Sequence, residues 1–355
     1  MKKTLVAMAV GATLAAAPMI AAQADVKIFG KLQVEVVNLD GGAFDSYTQQ
    51  GDAGGMSRLG FDASKDLGNG LKAIGRYDFQ LNPSNGSAPV AREQYVGLAG
   101  GWGAFIAGRV QSPYKTYGGV KWDPFVATFM QARRSGGMSG DPTGHNGFVN
   151  DQLVYASPVM AGIKFTAHYG VDETATSETT GGADGSWGAG VSGNWGPVEV
   201  IGAYLTYHNT NQASCQPAPT CGGDSIDQAK IGARYKGHGF TAAIQYEDVD
   251  NVGSIRVNGN RVGAVGKGKI LFANLGYKFG NTLITGSYGT TDVKAEGQND
   301  IDYWMIGARY YLAKTVSTYL GYSSVEQDEK YKMFGIGMPE LIIILIIILI
   351  IFGAG

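Results

Sequence analysis

The chain has 355 residues, of which 44% are hydrophobic, 16% are charged and 55 are glycine. Charged residues fall well below the usual ~25%, and glycine runs at about twice its usual share. A formal net charge of −2 is too mild to point to nucleic acid or to an acidic partner.

The opening text MKKTLVAMAVGATLAAAPMIAAQA carries Lys2 and Lys3, an apolar run from Leu5 to Ala17, and the small-x-small step Ala22-Gln23-Ala24. That layout predicts a cleaved export signal over residues 1–24, with cleavage between Ala24 and Asp25. Loss of Lys2 and Lys3 leaves 26 basic residues against 30 acidic ones, a net charge of −4. No linker or composition shift follows until about residue 333, so residues 25–338 read as one domain.

The first mature segment, residues 25–37, places Val26, Ile28, Leu32, Val34 and Val36 on one face and Lys27, Lys31, Gln33 and Glu35 on the other. This period of two is the pattern of a strand with one apolar and one polar side. The pattern recurs at 56–64, 71–81, 91–99 and 105–110. After an interruption it returns at 150–157, 163–171, 185–195, 198–208, 226–235, 240–247, 269–279, 282–289, 301–312 and 316–323, and a last strand begins near Tyr331. The total is about sixteen strands, joined by turns that alternate strictly between short and long. Strands of about ten residues suffice to cross a bilayer when tilted. Short turns at one end and long loops at the other belong to outer-membrane barrels rather than soluble sandwiches. Aromatic residues near strand ends (Tyr235, Tyr246, Tyr277, Tyr288, Trp304, Tyr310) suit the two interfacial girdles. The predicted fold is all-β: a transmembrane antiparallel β-barrel, which satisfies every backbone group inside lipid.

Residues 108–148 are the long interruption, rich in glycine, with two Asp-Pro steps and the pair Arg133-Arg134. A loop of about forty residues is expected only where it carries a function. We read it as folding into the lumen and narrowing it. Arg58, Arg76, Arg92 and Arg109 occupy four successive strands and alternate with apolar neighbours, so they are expected to face the lumen as a basic ladder joined by Lys31 and Lys72. The loop would face them with Asp123 and Asp141, while Arg133 and Arg134 add positive charge. Rows of charge in a narrow pore set ion preference. The plainer alternative is that the arginines pair across strands with Asp62, Asp78 and Glu93. At Arg92 the register is open, because strict alternation would turn Glu93 toward lipid.

The remaining motifs carry less. Cys215 and Cys221 lie six positions apart and are expected to form a disulfide that pins one loop. The histidines (His145, His168, His208, His238) make no triad by spacing, and no His/Cys cluster calls for a metal or any other cofactor. Residues 263–269 approach a phosphate-binding loop, but Ile270 stands where Ser or Thr is needed.

Five stretches carry a resemblance: DVKIFGKLQ at the mature start, the turn DLGNGLKA, YVGLAGGWGAFIAGR leading into the long loop, the hairpin YASPVMAGIKF, and GARYYLAKT. In their order and spacing they resemble the general diffusion porins of Gram-negative bacteria, in the branch typical of beta-proteobacteria, over about residues 1–338. The resemblance implies a homotrimer of sixteen-stranded barrels in the outer-membrane lipid, with the third outside loop folded inward. It implies passage of ions and small hydrophilic solutes, and no enzymatic activity. An outer-membrane barrel enzyme and a structural, adhesin-like barrel with a closed lumen are the alternatives. The first needs a Ser/His or Asp/His pair at one rim, and the second needs large apolar residues facing inward.

The tail departs from that family. Residues 339–355 run Pro-Glu-LIIILIIILIIF-Gly-Ala-Gly, and from Met333 the text resembles the start of the small membrane subunit of the twin-arginine translocase. As a helix, residues 341–352 would rise only about 18 Å, short of a ~30 Å hydrocarbon core. We read the tail as a chimeric or misjoined reading frame, with an appended membrane segment as the alternative.

Overall fold

The computed structural model describes residues 24–41, 44–51, 57–139, 148–170, 187–208, 225–249, 255–257, 260–262, 268–293 and 300–326. The Cys215–Cys221 pair, Asp141, His145, the expected last strand and the tail lie outside these residues.

The strands are β1 (Asp25–Lys31), β2 (Glu35–Gly41), β3 (Phe44–Gly51), β4 (Arg58–Gly68), β5 (Leu71–Gln80), β6 (Val90–Gly100) and β7 (Gly103–Gln111). They continue as β8 (Phe148–Ala156), β9 (Ile163–Gly170), β10 (Trp187–Trp195), β11 (Val198–His208), β12 (Ser225–Gly237) and β13 (Phe240–Val249). The last are β14 (Ile255–Val257), β15 (Asn260–Val262), β16 (Gly268–Phe279), β17 (Thr282–Val293), β18 (Ile301–Ala313) and β19 (Val316–Glu326). One 15-stranded sheet runs β1-β4-β5-β6-β7-β8-β9-β10-β11-β12-β13-β16-β17-β18-β19, and β2–β3 and β14–β15 form separate hairpins. The expected single strand over 25–37 is thus divided. Among the described residues the β1–β4 ladder ends at Lys31↔Arg58, and the next segment pairs with β3 instead.

Every neighbouring pair in the large sheet is antiparallel, so β1 and β19 run the same way. An even, antiparallel ring needs one more strand between them; the strand expected near Tyr331 lies outside the described residues. The sheet curls until its edges face each other: the Tyr319 hydroxyl on β19 donates to Glu35 on β2 at 3.0 Å. The short connections sit together at one end. At the β12–β13 turn, His238 (φ 51°) and Gly239 (φ 82°) are both left-handed, the geometry that matches hairpin twist.

The barrel is inverted relative to a soluble protein. Its outward positions are large and apolar: Ile28, Val96, Ile231 and Leu275 are 66%, 67%, 65% and 62% exposed. On β13, Phe240, Ile244 and Tyr246 point out while Gln245 and Glu247 point in and are buried. Burial of apolar area against water cannot be what stabilises such a surface; hydrocarbon must cover it. The prediction that checks this uses two adjacent positions on opposite faces, since Ile74 pairs with Gly97 and Gly75 with Val96. Val96→Arg should cost about 2–4 kcal/mol of unfolding free energy in bilayers, and Ile74→Arg, facing water, markedly less.

Candidate functional site

Residues 112–139 leave the sheet after β7 and lie inside the ring. Ser112 caps a single helical turn, α1 (Pro113–Thr116), its hydroxyl accepting from the Lys115 N–H at 3.1 Å, and Pro113 suits the first helical position. Two short 3-10 turns follow, at Gly119–Lys121 and Ala132–Arg134. From there the loop is fastened around the wall. The Tyr117 hydroxyl bonds Thr166 on β9 at 2.6 Å, the Trp122 indole donates to Glu199 on β11 at 3.0 Å, and the Gly119 N–H donates to Gln245 on β13 at 2.5 Å. Further on, Arg309 on β18 donates to the Pro124 carbonyl, Gln33 beside β1 donates to the Ala127 carbonyl at 2.7 Å, and the Phe129 N–H donates to Glu35 at 3.3 Å. Thr291 on β17 bonds the Gly136 carbonyl, and Ser139 bonds Glu247 on β13.

Packing follows the same path. Tyr114, Phe125, Met130, Ala132 and Met138 of the loop form one buried cluster with Leu205, Ile270, Phe272, Tyr303 and Met305 of the wall. Strand glycines provide the seats. A Cβ at Gly190 would lie 2.3 Å from the Tyr117 ring, one at Gly232 2.6 Å from Trp122, one at Gly307 2.6 Å from Phe125, and one at Gly321 2.6 Å from the Met130 sulfur. The glycine abundance of the sequence is thus partly a lining cut to fit this loop.

The wall the loop leaves uncovered is β4 to β7, where the arginines stand. Arg76 donates to Asp62 at 2.7 and 3.0 Å and to Glu93 at 3.1 Å. Arg92 donates to Asp78 at 3.2 Å, and Arg58 approaches the same carboxylate at 3.7 Å. Arg109 donates to the Asn150 side chain at 2.5 Å. The four arginines stand on neighbouring strands, and three of them, Arg58, Arg76 and Arg92, make the cross-strand ion pairs of the plainer reading. The open register at Arg92 is resolved by a bulge. Pairing steps from Tyr77↔Gln94 to Phe79↔Ala91, so β6 has an extra residue and both Arg92 and Glu93 reach inward.

Two aromatic rings that the sequence reading passed over organise these cations. Phe29 lies under Arg58 and Arg76, at 5.8 and 5.1 Å from its centroid. Phe148 collects Arg92 at 4.8 Å, Arg109 at 5.6 Å and Lys115 at 3.9 Å. Lys31 pairs with Arg58 across β1–β4 and belongs to the row, whereas Lys72, opposite Asp66, sits beside the short turn at the far mouth.

Two loop residues do not face the ladder as expected. Asp123 is buried and accepts the N–H groups of Phe125 (2.8 Å) and Ala132 (2.9 Å), fastening the loop to itself. The Arg133 side chain is buried beside it and donates to Gln131 at 3.3 Å. An Asp-Pro step promises an exposed turn, and nothing local announces that the carboxylate will be needed by backbone donors inside the loop. The Arg134 side chain lies outside the described residues. His168 points inward on β9 and is buried, with no serine or carboxylate bonded to it.

A family model described as Gram-negative porin matches residues 5–330. The major outer membrane protein P.IB of Neisseria meningitidis serogroup B / serotype 15 (strain H44/76) is 27% identical over 342 residues, covering 89% of this chain and 91% of that protein. Among solved structures, the anion-selective porin from Comamonas acidovorans superposes with a TM-score of 0.69 at 22% identity, over 88% of this chain and 92% of that one. The trimer form of OmpT from Vibrio cholerae gives a TM-score of 0.61 at 16% identity, over 89% and 96%.

Burial pushes the Asp123 carboxyl up to about 6, against the pull of its two backbone donors and of Arg133 and Arg309. The charged form is the disfavoured one, so the loop is more stable with Asp123 protonated and loses that margin as pH rises from the ordinary carboxylate range through 6. Acidification through pH 6 should therefore remove one negative charge behind the constriction and raise the anion-to-cation permeability ratio. In Asp123→Asn the part of that change centred near pH 6 should be missing from the reversal potential.

Proposed function

The chain belongs to the Gram-negative porin family, and from that premise we propose how its lumen filters what passes. The protein is an outer-membrane diffusion channel and not an enzyme. Of the expected 108–148 interruption, 108–111 and Phe148 belong to β7 and β8 and 140–147 lie outside the described residues; residues 112–139 narrow the lumen from one side, and the arginine row on β4 to β7 lines the other. Solutes are filtered by size at the loop and by charge at the row.

The observation that carries this reading is the distribution of fastenings. The loop is bonded to β2, β9, β11, β13, β17 and β18. Among the described residues Arg58, Arg76, Arg92 and Arg109 stand on the strands it leaves to water. Charges that face a narrow aqueous passage act through the local field rather than through net charge. Three carboxylates are set against four arginines, and Lys31 and Lys115 add to the positive side, so the passage favours anions although the whole chain is slightly acidic. Lys121 of the loop, exposed and within electrostatic reach of Glu93, Lys164 and Glu199, adds a cation from the opposite side. The solved porin from Comamonas acidovorans is described as anion-selective, in agreement with that sign.

The mature chain starts at Asp25 after removal of residues 1–24, and three copies assemble in the membrane, as in the trimer form of OmpT. Small hydrophilic solutes and inorganic ions cross without a cofactor or an energy source. Reversal potentials across a salt gradient test the charge filter. Arg76→Gln leaves Asp62 and Glu93 without their guanidinium partner and should shift selectivity toward cations more than Arg109→Gln, where the arginine donates to the neutral Asn150 side chain and Phe148 carbonyl. No shift in either variant would remove the row from the mechanism.

A further inference from the structure

The loop is fastened at many points, but two of its positions far apart in sequence, Tyr114 and Ser139, converge on one carboxylate. Glu247 on β13 is completely buried. Its Oε2 accepts the Tyr114 hydroxyl at 2.6 Å, from the loop's first helical turn, and also the Ser139 hydroxyl. Its Oε1 accepts the Ser139 N–H at 3.2 Å and the Gln245 amide at 2.9 Å. Gln245 in turn takes the Gly119 N–H at 2.5 Å, so two residues of one strand hold positions 114, 119 and 139. The charge of Glu247 is balanced by Lys230, its cross-strand partner on β12. Lys230 is also buried, and its Nζ makes no hydrogen bond but lies 4.2 Å from the centroid of the Tyr114 ring. A Cβ on Gly119 would lie 3.0 Å from that Nζ, and the φ of 52° there is left-handed, so a side chain at this position is strained.

We propose that Glu247 is the positioning residue of the constriction: it ties the first helical turn of the loop and Ser139, twenty-five positions later, to a single point on the wall and so fixes the width of the passage. The inference rests on the reading of residues 112–139 as the constriction, and adds which group holds it against fluctuation. Tyr303, Thr291 and Glu35 each hold one stretch of the loop. Releasing Glu247 frees both limbs together. A buried carboxylate with four donors is also costly to leave half-satisfied, so the bonds form or break as a set.

The test is single-channel recording from Glu247→Gln, Tyr114→Phe and Ser139→Ala. The amide keeps the volume of the carboxylate but removes its charge and one acceptor oxygen. Spontaneous brief closures should become about tenfold more frequent in Glu247→Gln, the size expected for loss of one charge-assisted hydrogen bond. Tyr114→Phe and Ser139→Ala should each give a smaller increase. The permeability ratio should stay near that of the parent, because the arginine row stands on other strands. A failure of the charge-filter reading would appear instead in the parent's reversal potential, so the two failures are distinguishable. Closure frequencies equal to the parent's in Tyr114→Phe and Ser139→Ala would overturn the proposal, even if Glu247→Gln failed to assemble. A purely structural Glu247 would lower the yield of folded trimer and leave the closures of assembled channels unchanged.

Discussion

Inside hydrocarbon no backbone N–H or C=O can turn to water, so each must be paired within the protein. This constraint selects the antiparallel ladder from β1 to β19, and it makes a closed ring the only sheet without a costly edge. Once the ring exists, the period of two divides every strand between two solvents. Leu275 and Ile244 meet lipid, and Gln245 and Glu247 meet the interior. The usual relation between burial and hydrophobicity is reversed everywhere except under the loop, where an ordinary apolar core reappears around Phe125, Tyr303 and Met305.

The loop is therefore a small folded body held within a polar cylinder, and its adhesion is mixed. Aromatic side chains seat on strand glycines, while wall acids take loop donors at Glu35, Glu199 and Glu247. Apolar seating gives area and shape but little direction; the carboxylates supply the register. On the bare side the same chemistry serves permeation. There the acids are spent on arginines, and the rings of Phe29 and Phe148 support the guanidinium planes.

Strand positions were legible in the chain because alternation is a local signal that a barrel wall repeats without compromise. Fifteen of the expected strands appear in the sheet. What was not legible depended on contacts across the lumen. Glu247 looks in sequence like any inward acid on a strand, and its role exists only through Tyr114 and Ser139, more than 100 positions away. Asp123 looked like a pore carboxylate and is a backbone acceptor inside the loop. At Arg92-Glu93 strict alternation predicted one residue facing lipid, and a one-residue bulge, invisible to periodicity, turned both inward. Phe29 and Phe148 were passed over because an aromatic on a polar face is ambiguous until its cationic neighbours are known.

The whole account requires a continuous water path through the ring, flanked by the arginine row and the tethered loop. Conductance of single purified channels in planar lipid bilayers measures this directly. The account predicts discrete, long-lived current steps that scale with bulk salt conductivity and are blocked by neutral polymers only below a sharp size limit. Membranes that take up the folded protein yet carry no such steps would contradict it.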